Sequence, residues 1–359
     1  MKTILLFAGL AGALGAVQVE PPVKNPAFRP NTAFGSHEDL RAPRFEELRV
    51  KYRLEEAVKG ETDDFKRVLL LRHWLHARVV VEKKGPELPD KDALSTLEEG
   101  PKGGRYHCAH LSVALNAVLS AMGHVTRIVL SGPGEKEPAR LSGSHGSNEV
   151  WCNSLCKWVL VDAEHDSHFE KDGVPLSALE VRDEVLRDGA KSVARVRGLD
   201  RRPEARVEDE SWGQTARTYG WISWPSEGNR FTRYPEDPGG FQVLYEDEYA
   251  RTHTWYRDGR KHWAYDAGRF KRISERGAIE WTPNVLDVKT RLQGEEWEVQ
   301  IASSTPNLKE YQMKKGDGAW ERAEEKFAIR VKAPPEKVLL RSVNLAGLCG
   351  PEHRLVLAR

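Results

Sequence analysis

The stretch "CAHLSVALNAVLSAMG", residues 108–123, constrains what this chain can fold into more than any other. Leu111, Leu115, Val118 and Met122 recur at i, i+4, i+7 and i+11, which puts them on one face of a helix. Ala114, Ala117 and Ala121 flank that face with small side chains. Bulk on one stripe and little beside it lets a helix sit close to a flat partner, so the spacing predicts a buried helix on a sheet. Gly123 supplies the stop, and "HVTRIVL" reads as a strand. The helix opens on Cys108, reached through the glycine pair of "KGGRYHC". A helix N-terminus favours a thiolate, yet cysteine is also among the most buried residue types. Taken alone, the stretch leaves Cys108 as either nucleophile or filler.

The rest of the chain has room for two or three domains. Its 55 Lys and Arg nearly cancel its 54 Asp and Glu, so no nucleic-acid partner is expected. Residues 1–17 carry one lysine, then an apolar run too short to span a bilayer, ending in small residues. They read as an export signal, which implies a periplasmic, cell-envelope or extracellular protein with no membrane span in its mature part. Residues 18–40 read as an N-terminal extension and 41–195 as the core. Residues 196–281 hold Trp212, Trp221, Trp224, Trp255, Trp263 and Trp281, six of the eleven tryptophans. These rings read as cover for the core under long loops rather than as the lining of a cleft. From 283 to 359, "VLDVKTRL", "EWEVQIAS", "FAIRVKA", "EKVLLRSVN" and "HRLVLAR" predict a small all-β sandwich of immunoglobulin or fibronectin type.

A thiol nucleophile needs an imidazole to take its proton and a third group to hold that imidazole. "HGSNEVWCNSLCKWVLVD" predicts a hairpin turning near Asn153 to Leu155, with His145 opening one strand and Asp162 closing the other. Their separation of 17 is odd, so an even-length loop sets them directly opposite, on one face. That register puts Cys152 and Cys156 on opposite faces. A disulfide between them would need a bulge or another register, and two unbridged thiols are the alternative.

The order Cys, His, Asp, in "RYHCAHLSVALNAVLSAMGHVTR", "HGSNEV" and "KWVLVD", resembles the transglutaminase-like superfamily. The likeness runs over roughly residues 60–185. It implies an α+β, papain-like core in which a Cys-bearing helix packs on an antiparallel sheet. It also implies Cys108 as nucleophile, His145 as base and acid, Asp162 as orienting carboxylate, and no cofactor. Three departures stand out: Ser147 replaces the usual Trp near the histidine, "VDAE" replaces "V-D-P-T", and Lys102 stands where papain-like proteases carry Gln. Ser147, His107 and His110 are expected to border the cleft. Beside the Cys108 N–H, Tyr106 and Trp74 are the candidate oxyanion donors.

The resemblance implies an acyl-thioester enzyme acting on an extracytoplasmic protein, peptide or cell-wall peptide. Hydrolysis is preferred to transfer, since nothing announces an amine-acceptor site. No "D-x-D-x-D-G" loop suggests calcium. Two rival readings exist. "DAEHDSHF" with Cys108 could be a metal site, but its spacing fits no established zinc pattern and such clusters are usually solvated loops. Alternatively, the domain is an inactive binding or scaffold module. Retention of all three residue types argues for the enzyme, with no bound metal.

Overall fold

The computed structural model describes residues 24–34, 38–79, 92–102, 106–132, 145–203, 218–225, 242–251, 256–257, 260–261, 270–331 and 335–358. The expected export signal, the glycine pair before Cys108, and Trp212, Trp255 and Trp263 lie outside the described residues. Among those described, no helix is long and apolar enough to cross a membrane.

Helices α1 (Pro43–Tyr52), α2 (Leu54–Ala57), α3 (Asp64–His76) and α4 (Ala93–Glu99) lead to α5 (Cys108–Ala121), the helix expected from the apolar stripe. Strands β1 (Thr126–Gly132), β2 (His145–Cys152), β3 (Lys157–Asp162) and β4 (Ser167–Lys171) follow as an antiparallel series. Then come β5 (Val174–Pro175), α6 (Ala178–Asp188), β6 (Ala194–Arg197), β7 (Arg202–Pro203), β8 (Trp221–Pro225) and β9 (Gln242–Tyr245). A small ribbon, β10 (Tyr256–Arg257) with β11 (Arg260–Lys261), precedes β12 (Phe270–Ile273) and α7 (Arg276–Ile279). One ten-stranded sheet runs β12-β9-β8-β1-β2-β3-β4-β6-β7, with β5 beside β4. Only β12 and β9 pair in parallel.

Alternation along the strands gives this sheet two apolar faces. Val150, Val159 and Val161 point to the core built by α1, α3, α4 and α5. Val129, Leu160 and Phe169 point to the core shared with α6 and α7. Every residue of α5 from His110 to Ala121 is buried, because the helix is wedged between the sheet and the earlier helices. Trp224 and Trp281 are buried as well, and β8, β9 and β12 extend the sheet. The other described tryptophan of this segment, Trp221, is half-buried.

The C-terminal strands are β13 (Leu286–Gln293), β14 (Glu296–Ser303), β15 (Leu308–Lys315), β16 (Glu321–Ala323), β17 (Lys326–Arg330), β18 (Glu336–Asn344) and β19 (His353–Leu357). Sheets β13-β14-β17 and β16-β15-β18-β19 enclose a shared core that includes Val299, Ile301, Tyr311, Val338 and Leu340. The fourth strand, β16, sits on the third, whereas the immunoglobulin constant order places it with the first, second and fifth. Neither β15 nor β16 was among the predicted runs. "LKEYQMKK" offers only Tyr311 and Met313 as an alternating apolar pair among lysines and other polar residues.

One expectation for the hairpin needs correction. Cys152 pairs with Lys157, so the turn is four residues long, Asn153–Cys156, and Cys156 takes a left-handed φ of 49°. Asn148 then faces Val161, which sets Asp162 against Ser147, two residues from direct opposition to His145. The longer turn has a cause remote in sequence: the Asp64 carboxylate at the start of α3 accepts from the Asn153 N–H and from the Ser154 N–H and hydroxyl. Of the two alternatives for Cys152 and Cys156, the structure has the unbridged thiols; all four cysteines are free of disulfides.

The C-terminal sheets grip both elements that matter for the site. Asn153 accepts from Asn284 Nδ2 at 3.1 Å and donates to the Cys349 carbonyl at 3.0 Å. Gly123, which ends α5 at φ 84°, has its carbonyl held by Asn344 Nδ2 at 2.7 Å. A Cβ at Gly123 would lie 2.6 Å from that of Ala346, so glycine is required there for room as well as for its backbone angle.

Candidate active site

Cys108 is the first residue of α5, and the histidines on either side are what start the helix. His107 is extended, and its Nδ1 accepts from the Ala109 N–H at 3.3 Å. His110 Nδ1 accepts from the His107 N–H at 3.4 Å. The two imidazoles therefore form a reciprocal capping box, the work usually done by Ser or Thr with Glu or Gln. Their cleft-border role is thus replaced by a structural one, which follows from two ring nitrogens being placed like the oxygens of a cap. As first helical residue, Cys108 has an N–H with no carbonyl inside the helix to bond.

The helix is seated on β2 at this point. A Cβ on Gly146 would lie 3.3 Å from Ser112 Oγ and 3.5 Å from the Cys108 carbonyl group. Asn148 Nδ2 donates to the Ser112 carbonyl at 2.9 Å. His145, next to Gly146, brings a ring nitrogen within 4.8 Å of the Cys108 sulfur. Its Nε2 lies 2.8 Å from Asp162 Oδ2, which leaves Nδ1 as the nitrogen for the thiol. Two residues of stagger keep His145 and Asp162 on one face, and the carboxylate reaches across diagonally.

Charge fixes this arrangement. Burial opposes a proton on His145, but the Asp162 carboxylate outweighs it, with Cys108 adding to the effect. The imidazole pKa is held well above its ordinary value. Burial likewise opposes the Asp162 charge, and His145, then His165, pull that carboxyl well below its usual range. Asp162 is fully engaged. Its Oδ2 also meets His165 Nδ1 at 2.8 Å, and its Oδ1 accepts from the N–H groups of Glu164 at 2.8 Å and His165 at 3.2 Å. Glu164 turns its Oε2 to 3.7 Å from His145 Nδ1.

The segment after Asp162 is not the solvated loop expected. Arg72, fully buried on α3, donates Nε to Asp166 at 2.8 Å and Nη2 to the Gly198 carbonyl at 3.1 Å. Its Nη1 lies 3.1 Å from His168 Nδ1, and His168 Nε2 lies 2.6 Å from Glu170. This buried cation draws the acidic cluster inward. It also commits His168 away from Cys108, so the metal set read from "DAEHDSHF" does not assemble as a whole.

The remaining expected residues are placed differently. Ser147 is buried in the sheet with its hydroxyl toward Tyr219, so it does not border the cleft. Tyr106 belongs to the apolar core, its ring edge-on to His110 at 5.4 Å. Trp74 packs on Tyr52 and carries Arg78 over its face at 4.1 Å. Neither a hydrogen bond nor a ring contact links Trp74 to Cys108 or His145 among the described residues. Glu164 and His165 are the neighbours of the site whose roles the sequence pattern did not reveal. "VDAEH" contained both, but nothing in it specifies which way their side chains turn.

Residues 52–163 match the family model described as the transglutaminase-like superfamily, a span that includes Cys108, His145 and Asp162. No curated protein matches the chain. Among solved structures, red sea bream transglutaminase is similar over 90% of this chain and 74% of its own, with 10% identity and a TM-score of 0.28. The segment similar to the transglutaminase-like superfamily is thus the one that runs from the end of α1 through α5 and β1 to the end of β3.

Proposed function

We propose that this protein is an exported cysteine enzyme that cleaves an amide or peptide-type bond in a protein, peptide or cell-wall peptide outside the cytoplasm. One observation carries the reading: the Cys108 sulfur, at a helix N-terminus, lies within 4.8 Å of a nitrogen of the His145 imidazole, whose Nε2 is held by a buried carboxylate. With the proton held on His145 Nδ1 and Asp162 beside the ring, the Cys108 sulfur attacks the substrate carbonyl carbon as the thiolate. The resulting oxyanion faces the Cys108 N–H, which has no carbonyl inside the helix to bond. His145 then returns the proton to the leaving amine as the tetrahedral adduct collapses to a thioester. Water, deprotonated by the same nitrogen, releases the acid and the thiol. Asp162 remains ionised throughout, holding the tautomer and stabilising the imidazolium.

Neutral haloacetamide supplies the test. Cys108 should alkylate faster than free cysteine at neutral pH, and turnover of a peptide and glutaminyl substrate library should disappear in Cys108→Ala. His145→Ala should cost roughly 10²–10⁴-fold in turnover, the usual contribution of a positioned acid–base group. Alkylation no faster than free cysteine and unaltered by His145→Ala overturns the reading.

A further inference from the structure

Acyl transfer gives no role to Glu164, which places a carboxylate beside the Cys108–His145 pair. A carboxylate facing a thiol sulfur and an imidazole nitrogen makes a donor set of the kind that holds a divalent ion. We propose that Cys108, His145 and Glu164 form a reversible binding site for a zinc-type divalent ion, and that the bound ion holds the enzyme inactive. The proposal deepens the acyl-transfer reading in its consequence only; binding of the ion does not depend on turnover.

Ligand type, spacing and preparation all favour this set. The thiol sulfur, an imidazole nitrogen and a Glu164 oxygen lie within 4.8 Å of one another. Zinc bonds of about 2.0–2.3 Å in a tetrahedron separate ligand atoms by roughly 3.5 Å. His145 Nδ1 and Glu164 Oε2, at 3.7 Å, already stand near that separation. Asp162 holds the opposite ring nitrogen, the outer carboxylate that fixes a metal-binding histidine with its free lone pair forward. Its other oxygen accepts the Glu164 N–H and so fixes the backbone from which that ligand projects. A sulfur ligand selects zinc over magnesium or calcium, and three protein ligands leave a fourth position for water.

A second convergent group, His145, Asp162 and His165, is less suited. Both histidines already bond the same Asp162 oxygen at 2.8 Å, and an ion there would have to displace both contacts. In the favoured site the one proton held by the Cys108–His145 pair leaves Nδ1 for solvent as the sulfur–metal and nitrogen–metal bonds form. The sulfur and Nδ1 needed for acyl transfer are then occupied, so zinc and substrate exclude each other.

Titrating the full chain with zinc against a chromophoric chelator tests this, with Cys108 alkylation followed in parallel. Wild type should bind one ion, release one proton and lose alkylation until EDTA restores it. Glu164→Gln should bind at least about tenfold more weakly and keep its alkylation rate at the same zinc concentration. Cys108→Ser should also weaken binding, and His165→Ala should leave it unchanged. Absence of stoichiometric binding, or binding that survives Glu164→Gln and fails in His165→Ala, overturns the proposal. Rapid His145-dependent alkylation without zinc binding removes this proposal alone; tight zinc binding on an unreactive thiol removes the acyl-transfer reading instead.

Discussion

Strand β2 presents two ionic groups on one face, four residues apart, and their surroundings differ in kind. At Glu149 every polar atom is answered. One oxygen accepts from Arg127 Nε and Trp224 Nε1, both at 2.8 Å, and the other from the Ala178 N–H at 2.8 Å. Arg127 also donates to the Ile279 carbonyl and lies over Trp158 at 4.0 Å, Phe34 at 4.7 Å and Trp224 at 4.9 Å. At His145 one nitrogen is equally well held, and the other is turned to a thiol. The first group is closed and can only support; the second is held from behind and open in front. The proposed chemistry on this sheet is located where a buried charge network stops short of completion.

The comparison can be broken most severely at the closed end. Glu149→Gln leaves Arg127 buried among aromatic rings without a counter-charge. It should destabilise the fold by about 3–5 kcal/mol in urea unfolding. A cost below about 1 kcal/mol would show that the closed cluster does not support the sheet. At the open end the effect should be smaller and should depend on pH. His145 has a raised pKa, so its contribution is complete below the ordinary histidine value of about 6.5 and is lost as pH rises through the raised one. Asp162 has a lowered pKa, so its contribution is complete above the ordinary carboxylate range and is lost as acid reaches the lowered one. Stability profiles of wild type and His145→Ala should therefore differ by about 1.5–3 kcal/mol at neutral pH and converge in alkali. Parallel profiles would deny the imidazolium–carboxylate pair. The smallest change sharpens the helix start: His107→Ala should cost about 1 kcal/mol, and His107→Asn, a good cap, should recover most of it.

Local pattern carried much of the architecture. The α5 stripe, the alternation in β2 and β3, and most C-terminal runs are written in neighbouring residues, so periodicity reveals them. What escaped depends on partners far along the chain. The hairpin register follows from Asp64 seizing the turn 89 residues away. The inward folding of residues 163–170 follows from Arg72, a cation on a helix whose apolar stripe gives no hint of it. The thiol, imidazole and carboxylate were legible because strand parity survives a two-residue shift: the expected opposition was wrong, but the shared face was right. Glu164 and His165 were not, since the direction of a side chain in a turn leaves no periodic trace.

The grip of the C-terminal sheets has a further consequence. Asn344 holds the far end of the helix that carries the thiol, while Asn284 and Cys349 hold the far end of the hairpin that carries the imidazole. Two levers are thus clamped in one jig, and the gap between their working tips is set from behind. A chain cut after Trp281 keeps Cys108, His145 and Asp162 and loses the clamp, so the reacting atoms can drift apart with none of them altered. Among the described residues the C-terminal strands bring no side chain to the Cys108–His145–Asp162 cluster, yet they brace the helix and the hairpin that carry it.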